Sequence, residues 1–499
     1  MTTETDENAS PQRRGIVRKL VFYLLTLAVV LSPLVLIELG VRLFVPVPLP
    51  ITDDPYISFT GMRPLFVLDA AAGRYKIAEE RLAAFRPQSF AADKGPNTFR
   101  VFCLGGSTVQ GRPYSVETSF TAWLKLNLQT ALPEIDYEVV NCGGISYASY
   151  RLIPIMRELL EHKPDLFILY TGHNEFLEDR TYGPVKRMPR GGVWVHEMLM
   201  KLRGYKLAHH YLIGRRIKRN RSAGRSKTVM FPQVKTILDL EQGLGSYKRD
   251  DMWHVGVVNH FGRNLETMVA MAQAAGVPVI LVNPVSNLKD CPPFKSESGP
   301  GESEADISKV TALREQAARL DWSDTYGKIR LLLEAVAIDD RDAGLLYSLG
   351  TCYYHLARYE EAKSWFVRAK DQDVCPLRII GPMHEAIGRM CSRYDVPLVD
   401  ANKLIEDQSE GGIVGEQWLL DHVHPTINGH KLVADALYAA MEEMGLTSRP
   451  EGWEQARDDL WRRHLESLDD AYYARGVARL KRLTEWSRGR IPKEARPHD

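Results

Sequence analysis

The sequence predicts the α/β class: a parallel sheet covered by helices on both faces, interrupted by a helical insertion and preceded by a transmembrane helix. Three observations predict it. Short apolar runs recur from residue 98 with amphipathic helical stretches between them, a pattern of small and aromatic residues near 343–376 breaks that rhythm, and residues 20–37 carry no charge. Strands buried on both faces read as near-continuous apolar runs, and the helices that link them cover the sheet.

The bulk numbers set the bounds. A chain of 499 residues has room for two to four domains. Its 64 Lys+Arg against 63 Asp+Glu leave a formal charge of +1, which is not the basic footprint of a nucleic-acid binder. Neither zinc-finger cysteine spacing nor a Walker loop is present. The 6 cysteines are too few and scattered for a disulfide framework, although a bridge among Cys352, Cys375 and Cys391 is open.

Taken in order, residues 1–19 form a basic tail, with four cations in QRRGIVRK. Residues 20–45 follow as an anchor, because 18 consecutive apolar residues suffice to cross the hydrocarbon layer. A removable signal peptide is the rival reading, but no small-x-small cleavage site ends the run. Basic residues stay on the cytoplasmic side, so the remainder is expected outside it, on the periplasmic face of an inner membrane. Residues 46–97 read as a juxtamembrane connector. FRVFCLGG then gives a first buried strand, YEVVNCGG (137–144) a second and DLFILYTGHNE (165–175) a third. VPVILVNPV (277–285) gives a fourth, and YDVPLVDANKLI (394–405) a fifth.

Two segments break the alternation. In 176–250, ten Lys or Arg lie between Lys201 and Lys227. The stretch is either a solvated helix and loop or a basic lid beside a strand's carboxyl end. In 310–376, Leu349-Gly350, Tyr353, Ala362, Phe366 and Ala369 follow the spacing of a tetratricopeptide repeat, which packs small against aromatic residues between two antiparallel helices. One such unit cannot bury its face alone. Its groove is open to a protein partner or to the chain's own helical tail, 448–499, which carries Trp453, Trp461, Tyr472, Tyr473 and Trp486; self-packing is the expectation taken here. A fifth strand follows the repeat, so the catalytic domain is expected in two parts, 98–309 and 377–447.

The chemistry gathers at strand ends. VFCLGGSTVQG presents Ser107 after two glycines, either as a nucleophile or as a small residue in a tight turn. Asn174, beyond the third strand, can donate a side-chain amide into an oxyanion hole. Glycines after the second strand, Gly143 and Gly144, let a backbone N–H approach a ligand. In LLDHVHPTINGHKL, Asp421 and His424 are three apart. The histidine can face a serine while the carboxylate holds its other ring nitrogen. An Asp-x-x-His spacing arises about once by chance in a chain of this composition, and His422 is an alternative base. The set carries the reading, since a doubly wound sheet lines up its carboxyl ends along one edge. Asn283 and Asn287, after the fourth strand, are candidates for substrate contact or for loop capping.

These four blocks, GGST, NCGG, GHNE and DHVH, resemble those of the SGNH/GDSL hydrolases in the same order. The resemblance covers about 98–175, 255–290 and 378–440. It implies a flavodoxin-like sheet, a triad of Ser107, His424 and Asp421, and an oxyanion hole from the Ser107 N–H, Asn174 and a second-block N–H. Gly144 is the first candidate for that donor, with Gly143 and Ser146 as alternatives; counting from Asn141 lands on Ser146. Two further departures from the family pattern are Gly106 in place of an Asp and Glu175 in place of another. The implied activity needs no cofactor and no metal. It is hydrolysis of an acyl or acetyl ester on an envelope glycan or lipid. O-acyl transfer by the same site, or an inert scaffold acting through the helical repeat, are the alternatives.

Overall fold

The computed structural model describes residues 64–178 and 242–488, with residues 204–205, 233–234 and 236–239 and scattered positions between 22 and 43. The chain forms two units, Met1–Thr60 with Arg187–Thr228, and Gly61–Lys186 with Val229–Asp499. In the first, the described residues between 22 and 43 are helical, and Arg42 Nε donates to Glu38 Oε1 at 2.9 Å. The expected basic tail, much of the anchor and most of the basic insert lie outside the described residues. Among the described residues, no helix is long and apolar enough to cross a membrane.

The second unit opens with a small antiparallel sheet, β1 (Phe66–Asp69), β2 (Arg74–Ile77) and β3 (Ser89–Ala91), in the order β1-β2-β3. Part of the stretch 46–97, read from the sequence as a connector, thus carries a sheet of its own. The Phe90 ring lies 4.9 Å from Phe66 and 5.3 Å from Phe102, and Ala91 N donates to Glu138 Oε1 at 2.7 Å. Arg100, buried, donates to the other oxygen of Glu138 at 2.7 Å. This ion pair, closed by the Ala91 N–H and the Ala91 carbonyl, ties the small sheet to the large one.

The alternation then follows the apolar runs. β4 (Thr98–Gly105) leads into the single turn α1 (Ser107–Gln110), then α2 (Phe120–Ala131) and β5 (Asp136–Gly143). Next come α3 (Ser149–Leu160), β6 (Leu166–Tyr170), α4 (Asp251–Ala274) and β7 (Val279–Asn283). Four helices follow in series, α5 (Glu304–Arg319), α6 (Thr325–Val336), α7 (Ala343–His355) and α8 (Tyr359–Asp371). α9 (Gly381–Tyr394), β8 (Leu398–Asp400), α10 (Ala401–Glu406) and α11 (Ile427–Glu443) complete the α/β unit, and the tail adds α12 (Trp453–Glu466) and α13 (Asp470–Ser487).

Five strands pair in parallel in the order β5-β4-β6-β7-β8. In chain order this is 2-1-3-4-5, the flavodoxin-like arrangement, whose direction reverses between the first and third strands. Side chains alternate across the sheet. Val101, Cys103, Leu166 and Ile168 share a core with Trp123 and Leu128 of α2 and Val433 and Leu437 of α11, while α3, α4 and α9 pack together on the opposite face. All six cysteines are free thiols.

α5–α8 bury their own cluster, including Leu313, Leu332, Leu349 and Phe366. Gly350 is required there because a Cβ would lie 2.6 Å from the Phe366 ring. The tail does not fill a groove in this module, contrary to expectation. Trp453 and Trp461 join the α2–α11 core instead, donating to Asn127 O and Oδ1 at 3.1 and 3.0 Å. Asn127, buried on α2, offers the acceptors that decide where two indole N–H groups can be satisfied.

Candidate active site

The site lies at the carboxyl edge of the sheet, beside the point where strand order reverses. β4 ends in Gly105, where a Cβ would meet Tyr170 O of β6 at 2.1 Å. Only a glycine lets those backbones approach. A Cβ on Gly106 would lie 2.4 Å from Asn174 Nδ2. The Gly106 departure is thus explained: any side chain there would collide with the amide beside the serine.

Ser107 opens α1, and its Oγ lies 2.7 Å from His424 Nε2. His424 Nδ1 lies 2.7 Å from Asp421 Oδ2, and Asp421 Oδ1 accepts from Val423 N and His424 N at 2.8 and 2.9 Å. The loop holding both is fixed at its end by Thr426, the N-cap of α11, whose Oγ1 accepts from Gly429 N at 3.1 Å. Burial pushes the Asp421 carboxyl up, but His424, His422 and the bonds to the loop outweigh it and hold the group well below the usual carboxylate range. It is therefore an anion at neutral pH, oriented to fix the His424 tautomer and to stabilise its imidazolium.

His422 also lines the cleft, but its Nδ1 is 3.6 Å from Asp421 Oδ1, and it makes no hydrogen bond to Ser107. Burial lowers it to about 4, against the pull of Asp421. His173, between Gly172 and Asn174, is buried with Nδ1 accepting from Ile379 N at 3.3 Å. It braces the third-strand loop from below.

Asn174 lines the cleft beside Ser107 and gives one amide hydrogen to Tyr147 O at 3.1 Å. A second hydrogen remains for a substrate oxygen. Gly144, the expected second-block donor, is corrected: its N–H is spent on Gly105 O at 3.0 Å. Gly143 N donates to Asn141 Oδ1 at 3.0 Å. These glycines serve close packing, since a Cβ on Gly143 would lie 2.3 Å from Gln110 N and one on Gly144 would lie 2.7 Å from the Tyr147 ring. Ser146 lines the cleft at φ 60, and its N–H has no partner among the described residues.

Asn283 and Asn287 do not line the cleft. Asn283 Nδ2 donates to Asp400 Oδ1 at 2.9 Å, and its Oδ1 lies 2.6 Å from His384 Nδ1. Asn287 accepts from Asp290 N at 3.0 Å and donates to Asp421 O at 3.3 Å, so it braces the triad loop rather than a ligand. Glu175 is buried as a cap, accepting from Ser149 N and Oγ, each at 2.8 Å.

Sequence reasoning missed the walls. Arg112 lines the cleft five residues beyond Ser107, where its place in the nucleophile loop could have flagged it. Thr236, Asp239, Leu377 and, from α13, Leu483 and Trp486 also line it; nothing in the pattern of the tail pointed to this edge. Among the described residues no group of three or more His, Cys, Asp or Glu is placed to hold a metal ion.

No family model and no curated protein matches the chain. Among solved structures it is similar to the acetyl xylan esterase AlAXEase, at 12% identity and a TM-score of 0.31 over 68% of this chain and 99% of that one. It is similar to the acetylxylan esterase Axe2 from Geobacillus stearothermophilus at 12% identity and a TM-score of 0.30, covering 70% and 95%. A G-D-S-L family protein from Desulfitobacterium hafniense gives 12% identity and 0.29, covering 68% and 98%. Likeness at this level establishes neither fold nor activity; the fold stands on the strand order, and the chemistry on the geometry above.

Proposed function

We propose that the protein is a serine esterase of SGNH type that cleaves an acyl ester through an acyl-enzyme. The observation that carries this is the relay Ser107 Oγ–His424 Nε2–Asp421, with both links at 2.7 Å. Ser107 Oγ attacks the ester carbonyl while His424 Nε2 takes its proton. The electron pair of the carbonyl moves to oxygen, where the Asn174 amide and the N–H groups of Ser146 and Ser107 receive it. Collapse expels the alcohol, protonated by His424. Water then attacks the acyl-enzyme with His424 again as base, releasing the acid. The free space in the cleft is about 40 Å³, room for roughly three waters.

The chain is further proposed to be anchored by residues 20–45 with this site on the periplasmic side, acting on an ester of an envelope glycan or lipid. The charge-free run after four cations supports the anchor. The repeat-like spacing in α7 and α8 supports a tetratricopeptide-like role for α5–α8 in holding a protein partner. The test of the enzyme is direct. A fluorophosphonate probe is expected to label the wild-type protein and not Ser107→Ala; absence of labelling on folded wild-type protein would sink the serine-enzyme reading.

A further inference from the structure

α13 lies outside the part of the chain that resembles the hydrolases, yet one of its faces forms a wall of the cleft. Tyr472, Gly476, Arg479, Leu483 and Trp486 follow one another at steps of four and three, which sets them on one side of the helix. The first three dock on the loop that follows Ser107. Tyr472 Oη lies 2.7 Å from Thr118 Oγ1, and its ring stacks on Tyr114 with the centroids 5.9 Å apart. A Cβ on Gly476 would lie 2.2 Å from the Tyr114 ring, so only a glycine lets that ring seat against the helix. Arg479 donates to Tyr114 O at 2.6 Å. The nucleophile loop and α13 are thereby packed as one piece.

The last two residues of the stripe reach the cleft. Leu483, buried, and Trp486, half-buried, share its lining with Ser107, Asn174 and His424. The indole of Trp486 is tethered, because its Nε1 donates to Asp239 Oδ1 at 3.3 Å, and Asp239 is itself part of the lining. The space left is about 40 Å³, roughly three waters. An ester held at Ser107 has its carbonyl carbon between the acyl and alcohol halves. Whichever half turns toward α13 meets a leucine and an indole instead of water. A close-packed wall of this kind does not yield cheaply to added methylenes.

We propose that Leu483 and Trp486 are specificity-determining residues, which make the cleft a size filter. On the side that faces α13 it admits only a small ester substituent. The inference rests on the serine-esterase reading and narrows its substrate class to esters that are small on one side of the carbonyl.

The experiment measures kcat/KM of the full-length enzyme on two series. 4-Nitrophenyl acetate, propionate and butyrate vary the acyl half; methyl, ethyl and propyl acetate vary the alcohol half. In at least one series kcat/KM is expected to fall about tenfold or more with each added methylene, and the steep series identifies the half that faces α13. Trp486→Ala is expected to narrow the ratio of shortest to longest ester in that series about tenfold. Leu483→Ala is the second variant should Trp486→Ala fail to fold. A ratio taken within one preparation does not depend on the folded fraction, so a loss of stability alone leaves it unmoved. Two shallow series in wild type, or a folded variant that slows every ester equally, would overturn the filter and leave the esterase standing. Turnover of no ester, with no fluorophosphonate labelling of folded protein, would overturn the esterase reading itself.

Discussion

Ser107, Asn174, Asp421 and His424 were legible because each is a side chain set at a strand end or in one late loop, and side-chain chemistry is written in the sequence. The candidate oxyanion donor of the second block was less legible, because it is a backbone N–H, and only the count from Asn141 pointed to Ser146. Gly143 and Gly144 look like donors, yet a glycine marks only a close approach, here to Gln110 and Tyr147. Ser146 takes the left-handed conformation without being glycine, so its residue type does not announce that geometry. Glu175 shows the same limit. It reads as a substitution in a motif and is in fact a buried cap on α3, raised to about 7 by burial, which the bonds from Ser149 only partly offset. The folded state keeps its proton between pH 4.5 and 7 while the unfolded chain loses it. Its contribution to stability therefore falls as pH rises through that window and levels off above it. Glu175→Gln lacks the effect, whereas Asp373 and the buried histidines are common to both proteins and cancel. The stability of wild type minus that of Glu175→Gln is expected to drop by about 3 kcal/mol between pH 4.5 and 7.5. Urea unfolding at a series of pH values reads it, and a flat difference would disprove the assignment.

The five parallel strands were legible because they are largely apolar runs with helical stretches between them. The sheet β1–β3 was not. Its strands are three or four residues long and mix charge with apolar residues, as in RYKI, so no period stands out. The tail posed a different problem: its aromatic residues declared that α12 and α13 bury something, but not against what. Asn127 settles that, through hydrogen bonds that no pattern in the tail encodes. Trp453 is stacked on Tyr438 at 4.4 Å and is 3% exposed. Trp453→Ala empties that space and removes the indole donor to Asn127 O. The expected loss is about 3–5 kcal/mol, seen as a lower unfolding midpoint of the full-length protein. A variant with unchanged stability would mean that α12 does not dock on α2. Since α13 follows directly and forms one wall of the cleft, undocking should also slow turnover.

At the scale of the whole chain, the proposed ester cleavage rests on the geometry, and its proposed placement rests on the amino-terminal sequence. Residues 20–37 are free of charge, and QRRGIVRK before them supplies four cations, which in the proposed anchor would stay on the cytoplasmic side. An apolar run of this length partitions into the bilayer core because its side chains cost nothing there and a helix satisfies its own backbone. The same physics makes the run easy to break. An arginine near the middle of a span costs about 2.5–3.5 kcal/mol on the insertion scale. Leu27→Arg with Val29→Arg adds that cost twice, against a total drawn from some 18 modestly favourable residues. The wild-type chain is expected to stay in the membrane pellet through high salt and alkaline carbonate, which strip peripheral proteins. The double variant is expected to shift to the supernatant while still labelling with the fluorophosphonate, because Ser107, His424 and Asp421 lie in the other unit of the chain. Release of the wild-type chain by carbonate would refute the anchor, and with it the periplasmic placement of the site.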